Sequence, residues 1–128
     1  HGVMLERFNP LALAVIEDIP FAARSSAVKP EHLRRMMAEA LKVEGFALLD
    51  ILQPCVSFNK LNTFKWYADR CKELPEKYDP TDRAAALAET QKWGDEIPIG
   101  VIYRGKRESF EKLAPALSGE PLAIKYND

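Results

Sequence analysis

Residues 46–59 read Phe-Ala-Leu-Leu-Asp-Ile-Leu-Gln-Pro-Cys-Val-Ser-Phe-Asn, an almost unbroken apolar run that leads into a Pro-Cys turn. A run without clean alternation predicts a strand that is covered on both faces. The strand should end near Leu52 and place Cys55 at an edge of the sheet. Ligands gather at the carboxyl ends of parallel strands, so this thiol is suited to chemistry or metal ligation. Packing of Cys55 as a small hydrophobic side chain is the alternative, since free cysteine is often buried.

A helix and a second strand precede this run. Pro30 opens a helix whose apolar residues recur at three- and four-residue spacing, and Gly45 provides its stop. The apolar residues of this helix are Leu33, Met36, Met37, Ala40 and Leu41. Residues 21–23 should form a short interior strand that stops at the polar loop begun by Arg24. Strand, helix and strand over residues 21–52 predict a right-handed βαβ crossover with parallel strands.

Shorter elements are predicted on either side of this unit. Asn9 and Pro10 are typical of the start of a helix, which should span residues 10–17. The downstream elements are helices over residues 63–74 and from 82 toward 93, a strand over 97–103 and a weak final helix over 109–117. Together they predict a single α/β domain over residues 1–128, with a partial parallel sheet and flanking helices.

Composition restricts the class of partner. The 128 residues carry a formal net charge of -1, with 47% hydrophobic and 29% charged residues. This balance gives no electrostatic footprint for nucleic acid or anionic membranes, so we expect small-molecule or protein partners. No apolar run approaches the roughly 20 residues that span a bilayer, and no signal-peptide layout is present, so we expect a cytoplasmic protein with reduced thiols. His1 and Gly2 could remain from processing or from expression, and the fold prediction does not use them.

The sequence contains no self-contained active site. It has no glycine-rich phosphate loop, nucleophile elbow or His-Glu-x-x-His helix. His32 lies in the first turn of a helix and is predicted to be a surface residue. Cys71 shares a stripe with Phe64 and Tyr67, which favours a role as a core or interface filler. Two cysteines and one distant histidine do not provide the roughly four ligands of a structural zinc site.

Asp50 and a set of aromatic residues each have two interpretations. A carboxylate within an apolar strand is costly unless it is paired, so Asp50 should accept hydrogen bonds from the turn at 53–55 or pair with Arg24. Catalysis is the alternative. The aromatic residues Trp66, Tyr67 and Trp93 either anchor a partner or belong to an ordinary core.

Several segments, in a fixed order, resemble one enzyme family. They are residues 8–14 (Phe-Asn-Pro-Leu-Ala-Leu-Ala), 21–24 (Phe-Ala-Ala-Arg), 45–59, 62–67 (Asn-Thr-Phe-Lys-Trp-Tyr) and 97–103 (Ile-Pro-Ile-Gly-Val-Ile-Tyr). Over residues 8–104 the chain resembles the C-terminal part of the β subunit of 2-oxoacid:ferredoxin oxidoreductases. The resemblance implies the C-terminal half of a thiamine-diphosphate-binding fold.

The resemblance also implies an activity and a role for one residue. In this family the β subunit holds thiamine diphosphate with Mg²⁺ and, in many members, a [4Fe-4S] cluster. With an α subunit it converts a 2-oxoacid and coenzyme A to an acyl-CoA and reduces ferredoxin. Cys55 matches the last of the four cluster cysteines, and thiolates are the ligands that such clusters need. No residue of this chain matches a catalytic or diphosphate-binding position of the family.

Two departures from the family pattern set further expectations. The Gly-Asp-Gly segment that binds diphosphate and magnesium, and the other three cluster cysteines, lie upstream of the matching segments. We therefore expect this chain alone to bind no cofactor and to be inactive until it joins the α subunit and the remainder of a β subunit. Its sheet should expose a hydrophobic face or pair with another copy. Residues 16–20 replace a glycine-containing link, which should shift the first helix-to-strand junction.

Two other functions remain open from the sequence. The chain could be a non-catalytic α/β interaction or assembly module in which Cys55 is structural. It could also be a redox-sensing protein that uses Cys55 and Cys71, which requires their Cα atoms to lie within about 7 Å.

Overall fold

The computed structural model of the protein describes Met4 and residues 7–114. Helices and strands alternate along these residues. The elements are α1 (Pro10–Ile16), β1 (Phe21–Ser26), α2 (Pro30–Ala40), β2 (Ala47–Leu52), α3 (Phe64–Arg70), β3 (Cys71–Glu73), α4 (Arg83–Gln91), β4 (Ile97–Tyr103) and α5 (Phe110–Leu113). Of the weak helix predicted over 109–117, the structure contains the first turn, and residues 115–117 lie outside the described residues.

The four described strands form one mixed sheet in the order β2-β1-β4-β3. β1 and β2 are parallel and pair from Phe21 opposite Ala47 to Ser26 opposite Leu52. β3 and β4 are also parallel, and the two parallel pairs join through an antiparallel contact between β1 and β4. The predicted α/β fold, with a partial parallel sheet and a parallel crossover through α2, is confirmed.

Helices cover both faces of the inner strands. On one face, α1 and α4 pack over a cluster that includes Leu11, Val15 and Ile102, all fully buried. On the other face, α2 places Met36 against Phe21 and β1. The sheet is therefore a middle layer between helices, as hydrophobic burial on both faces of a sheet requires.

The helices begin where the sequence provides a cap. Asn9 accepts a hydrogen bond from the backbone N of Ala12 at 3.1 Å, and proline follows it in the first turn of α1. Thr63 and Asp82 cap α3 and α4 with their side chains. These contacts satisfy backbone N–H groups that have no partner within a helix.

At the junction between α1 and β1, Asp18 adopts a backbone conformation that is usually found at glycine. Asp18 has a φ of +54°, in the left-handed region that glycine favours. The hydroxyl of Tyr103 donates a hydrogen bond to the Asp18 carboxylate, and this bond lowers the pKa of that carboxyl group. The backbone N of Gly105 also donates to the carbonyl of Ile19 at 3.0 Å. Contacts from the end of β4 thus hold the bend.

Two predicted details of the elements are wrong, and a third is only partly correct. β1 continues through Arg24 to Ser26 instead of stopping at Arg24. The helix predicted to reach residue 74 ends at Arg70, and the short strand β3 takes its place. β2 is an edge strand whose two faces are only partly covered: Leu48 packs on one face and Leu49 on the other, and only Leu52 is buried.

The predicted apolar stripe of α2 is only partly correct. Met36 is buried, but Met37 is 47% exposed and Leu41, beyond the end of the helix, is 88% exposed. His32 occupies the buried face instead. Within the described residues, no helix combines the length and apolar character that a membrane span needs.

Candidate metal-ligating corner

The corner after β2 is tied to β1 by the last backbone carbonyl of β2. The carbonyl oxygen of Leu52 accepts hydrogen bonds from the backbone N of Ala27 and from the hydroxyl of Ser26, both at 3.0 Å. Parallel pairing brings the carboxyl ends of β1 and β2 to one edge of the sheet. Beyond it Pro54 is buried, and Cys55 emerges as an exposed free thiol. Cys55 therefore lies at the predicted sheet edge and does not pack as a buried hydrophobic residue.

Asn59 organises the loop that follows Cys55. Its backbone N donates to the carbonyl of Cys55 at 2.8 Å. Its Oδ1 accepts from the backbone N of Leu61 and of Asn62 at 2.9 and 3.0 Å. Thr63 then caps α3. The main chain at Cys55 is thus held by local hydrogen bonds, while its thiol stays accessible.

The apolar side chains near Cys55 in sequence project into solvent. Their exposed fractions are 46% for Val56, 95% for Phe58, 82% for Leu61 and 55% for Phe64. So many exposed apolar side chains along one short segment are typical of a surface that another protein covers. These side chains belong to the loop after β2 and to the start of α3, so the predicted exposure of a face of the sheet itself stays a prediction.

The second thiol has the opposite surroundings. Cys71 is 1% exposed and packs with Leu52, Ile97 and Ile99. Burial raises the pKa of its thiol, and a hydrogen bond with Ser26 opposes part of that shift. A buried, protonated thiol is a poor nucleophile. The predicted role of Cys71 as a core residue is confirmed, and its burial argues against a redox pair with Cys55.

Asp50 forms the predicted ion pair with Arg24. Arg24 Nε donates to Asp50 Oδ2 at 2.9 Å, and the two side chains are 5% and 22% exposed. Because a buried cation is costly without a counter-charge, this pair explains a carboxylate within an apolar strand. The structural interpretation of Asp50 is therefore the one that the geometry supports.

His32 is buried, and its prediction as a surface residue is wrong. It is 3% exposed, and its Nδ1 shares a hydrogen bond with the hydroxyl of Ser25 at 2.8 Å. Burial lowers the pKa of the imidazole, and the nearby Glu73 opposes that shift. The only sequence signal for this contact is the pair Ser25-Ser26 before α2. This signal does not predict which face of α2 His32 occupies.

The aromatic residues form a cluster beside the corner. The rings of Trp66 and Tyr67 meet edge to face at 5.0 Å between centroids, and Trp93 lies 6.3 Å from Trp66. Trp66 and Tyr67 pack on the cluster that contains Cys71, whereas Trp93 is 42% exposed. Packing in an ordinary core explains Trp66 and Tyr67. Trp93 is partly exposed, so a role as an anchor for a partner stays open for this residue.

Sequence reasoning missed one feature of this region. Arg24 was assigned to a loop, yet it is a buried strand residue that lines a cavity together with Arg7. The predicted pairing with Asp50 already indicated a strand position for Arg24, since a carboxylate in an apolar strand needs a cation on a neighbouring strand.

Cys55 has no complete ligand set around it in the described part of the chain. No group of three or more histidine, cysteine, aspartate or glutamate side chains there could hold a metal ion. Iron–sulfur clusters are typically held by four cysteine thiolates. Within the described residues, this corner could therefore supply at most one thiolate to such a cluster, and the other ligands would have to come from elsewhere.

The fold and this corner define a class, an α/β domain that presents one thiol beyond the carboxyl end of a parallel strand. The comparison with known families is more specific. The family model described as the C-terminal region of the pyruvate ferredoxin oxidoreductase β subunit matches residues 55–119. The chain belongs to this family, and the predicted resemblance is confirmed.

Individual relatives agree with the family assignment. A 2-oxoacid:ferredoxin oxidoreductase β subunit from Sulfolobus sp. is 36% identical over 130 residues, which cover 92% of this chain. The β subunit of 2-oxoacid:ferredoxin oxidoreductase 2 from Aeropyrum pernix is 35% identical over 136 residues, which cover 94% of this chain.

A solved structure has the same fold. The 2-oxoglutarate:ferredoxin oxidoreductase from Magnetococcus marinus, determined with 2-oxoglutarate, coenzyme A and succinyl-CoA bound, matches all of this chain with a TM-score of 0.80 and 26% identity. The chain spans less than half the length of these relatives: 42% and 44% of the two β subunits and 47% of the solved chain.

Proposed function

We propose that this chain forms the C-terminal part of the β subunit of a 2-oxoacid:ferredoxin oxidoreductase. The assembled enzyme would decarboxylate a 2-oxoacid oxidatively to an acyl-CoA and pass the electrons to ferredoxin. The observation that carries the proposal is the family match over residues 55–119, which begins at Cys55. The necessary partners are an α subunit and the remainder of a β subunit, and we place this enzyme in the cytoplasm.

Within that enzyme, we assign Cys55 as one thiolate ligand of a [4Fe-4S] cluster. Its exposure, its place beyond β2 and the hydrogen bond from Asn59 to its carbonyl support the assignment. Such a cluster supplies one-electron transfer when it is bound. Cys71 is excluded as a ligand because it is fully packed in the core.

The residues around Cys55 would control the environment of the thiolate. Asn59 fixes the main chain on which the sulfur is carried. Val56 and Phe58 are exposed here and would exclude water from the sulfur once another part of the enzyme covers them. Burial and solvent access are among the factors that set the reduction potential of iron–sulfur centres.

Thiamine diphosphate and Mg²⁺ are proposed for the assembled enzyme only. The family resemblance assigns their ligands to a segment that matches no part of this chain. We therefore assign Cys55 as one cluster ligand, and Val56 and Phe58 to a surface that another part of the enzyme covers. We assign no residue of this chain to the decarboxylation step.

A matched pair of cysteine variants tests the assignment. The chain is reconstituted with the remainder of a β subunit and an α subunit, and iron content and 2-oxoacid-dependent reduction of a viologen dye are measured. We expect Cys55→Ala to lower both the iron content and the rate at least about tenfold, since a cluster with an absent ligand is poorly retained. Cys71→Ala, a change of the buried thiol, should retain iron. Unchanged iron content in Cys55→Ala would contradict the assignment.

The alternative is a non-catalytic interaction module, and the exposed apolar segment from Val56 to Phe64 favours it. The same reconstitution separates the two functions. If the chain joins the other parts but dye reduction stays at background with every 2-oxoacid tested, the module is supported and the enzyme proposal fails.

A further inference from the structure

Asn59 uses its side chain in the pattern of a helix cap, although no helix begins there. Its Oδ1 accepts hydrogen bonds from the backbone N of Leu61 and of Asn62, at 2.9 and 3.0 Å. A side-chain oxygen that binds the backbone N–H groups two and three residues ahead is typical of a residue that caps a helix. The helix that follows, α3, begins at Phe64 and has its own cap, Thr63. The start of α3 therefore does not explain the hydrogen bonds of Asn59.

The backbone of Asn59 connects this pattern to Cys55. The backbone N of Asn59 donates to the carbonyl of Cys55 at 2.8 Å, which closes a turn over residues 55–59. At the same turn, Nζ of Lys60 donates to the carbonyl of Val56 at 2.6 Å. Asn59 is thus both the last residue of the turn that begins at Cys55 and the first residue of the segment that leads to α3.

Hydrogen bonds, and not packing, hold the turn. Residues 55–58 are all exposed, whereas Asn59 is partly buried. The side chain of Asn59 is engaged at both of its polar atoms, since Nδ2 donates to Oδ1 of Asn62 at 2.8 Å. A segment with few buried contacts opens easily unless hydrogen bonds restrain it. The conformation of the turn at Cys55 therefore depends on Asn59.

We propose that Asn59 is a positioning residue for Cys55, an inference that rests on the proposed cluster role of that thiol. The side chain of Asn59 holds its own backbone, and this backbone holds the carbonyl of Cys55. The thiol is thereby positioned before a cluster binds. Less conformational freedom is then lost on binding, which favours retention of the cluster.

Asp82 provides a matched control for Asn59. Oδ1 of Asp82 accepts from the backbone N of Ala84 and of Ala85 at 2.9 and 3.0 Å, the same pattern and the same distances. This contact caps α4, in a different segment of the chain. Asp82→Ala and Asn59→Ala thus each remove an acceptor with two backbone partners, but only Asn59 belongs to the turn that carries Cys55.

Amide hydrogen exchange of the full chain, without a cluster, tests whether the side chain holds the turn. Asn59→Ala keeps the backbone N–H of residue 59 but loses the side-chain contacts that restrain it. After correction for intrinsic rates, we expect this N–H to exchange at least about fivefold faster in Asn59→Ala and at the wild-type rate in Asp82→Ala. Equal protection in Asn59→Ala and wild type, or an equal increase in Asp82→Ala, would overturn the proposal.

The reconstituted complex tests the consequence for the cluster. Iron release to a chelator and the electron paramagnetic resonance spectrum after reduction are measured. We expect Asn59→Ala to release iron about tenfold faster than wild type and to change the spectrum, because residues that orient a metal ligand affect metal affinity to this extent. Asp82→Ala should match wild type in both. Asn59→Asp keeps an oxygen acceptor for the backbone N of Leu61 and of Asn62, so it should restore slow iron release.

Two results separate a failure of this inference from a failure of the proposed function. If Cys55→Ala loses the cluster while Asn59→Ala keeps the wild-type release rate and spectrum, the positioning role is wrong and the cluster role stands. If the wild-type complex holds no cluster that depends on Cys55, the proposed function fails, and the positioning role fails with it.

Discussion

β1 and β2 are paired neighbours, yet the strand with more polar residues, β1, is the more buried of the two. β1 reads Phe-Ala-Ala-Arg-Ser-Ser and is buried at all six positions. β2 reads Ala-Leu-Leu-Asp-Ile-Leu and has one buried residue, Leu52. The more polar strand lies inside and the more apolar strand lies at the edge of the sheet.

The difference separates a strand whose side chains are covered by the described residues from a strand whose side chains are not. Each polar side chain of β1 has an internal partner: Arg24 pairs with Asp50, Ser25 with His32, and Ser26 with the carbonyl of Leu52. Within the described residues, Nη1 of Arg24 is buried without a partner. β2 and the segment after it carry more apolar surface than the described residues cover. Edge strands and exposed apolar segments of this kind are the surfaces that partners pair with or cover. Under the proposed function, the β2 side, including Cys55, would be the side that faces the rest of a β subunit.

The largest contrast is expected for one isoleucine on each side of this comparison. Ile102 in β4 is fully buried next to β1, whereas Ile51 in β2 is 40% exposed. Ile102→Ala should lower the free energy of unfolding by about 3–4 kcal/mol, and Ile51→Ala by less than about 1 kcal/mol. Urea denaturation of both variants measures this. Equal losses would mean that β2 is as well packed as the inner strands.

The Arg24–Asp50 pair gives the next largest effect. Asp50→Ala leaves the buried guanidinium without its counter-charge and should cost about 3 kcal/mol of unfolding free energy. Glu73→Ala breaks the Arg35–Glu73 pair, whose side chains are 56% and 53% exposed, and should cost less than about 1 kcal/mol. If both variants lose the same stability in urea denaturation, the polar interior of β1 contributes no more than a surface pair.

A smaller effect concerns the pH dependence of stability through His32. Burial lowers the pKa of His32 in the folded state, so at pH values below about 6.5 the unfolded chain binds a proton that the folded chain does not. Above this range, the free energy of unfolding should carry no penalty from His32. It should fall as the pH decreases from about 6.5 toward the folded-state pKa. The urea midpoint should therefore be lower at pH 5.5 than at pH 7.5. His32→Gln should reduce this difference, and an unchanged difference would assign the titration to other groups.

The smallest effect is expected at the bend that leads into β1. Asp18 combines a left-handed backbone with a hydrogen bond from Tyr103. Asp18→Ala loses the bond and keeps the strain, whereas Asp18→Gly loses the bond and relieves the strain. We expect the alanine variant to have the lower melting temperature. A glycine variant less stable than the alanine variant would show that strain at this bend is negligible.

Local signals predicted most of the elements correctly. Asn9 and Pro10 marked the start of α1, Pro30 marked that of α2, and the apolar run at 46–52 identified β2. Asp50 predicted its own partner, because a carboxylate within an apolar strand requires a nearby cation. Each of these signals resides in a few adjacent residues, so it can be read without knowledge of the tertiary structure.

The errors came from features that depend on the tertiary structure. β3 has three residues, too few for an alternating pattern, and its pairing with β4 is what makes it a strand. An apolar run does not state whether a strand is central or at an edge, so the exposure of β2 was missed. His32 was misread because its burial depends on Ser25 across the βα unit. The role of Cys55 came from the family resemblance and not from its spacing.

The reactivity of Cys55 in the reconstituted complex tests the central claim most directly. In the chain alone, an alkylating reagent should modify the exposed Cys55 rapidly and the buried Cys71 only on unfolding. In the iron-loaded complex Cys55 should be protected, and chelation of the iron should restore its alkylation while Cys71 stays unreactive. Alkylation of Cys55 in the iron-loaded complex at the rate seen in the chain alone would contradict the account.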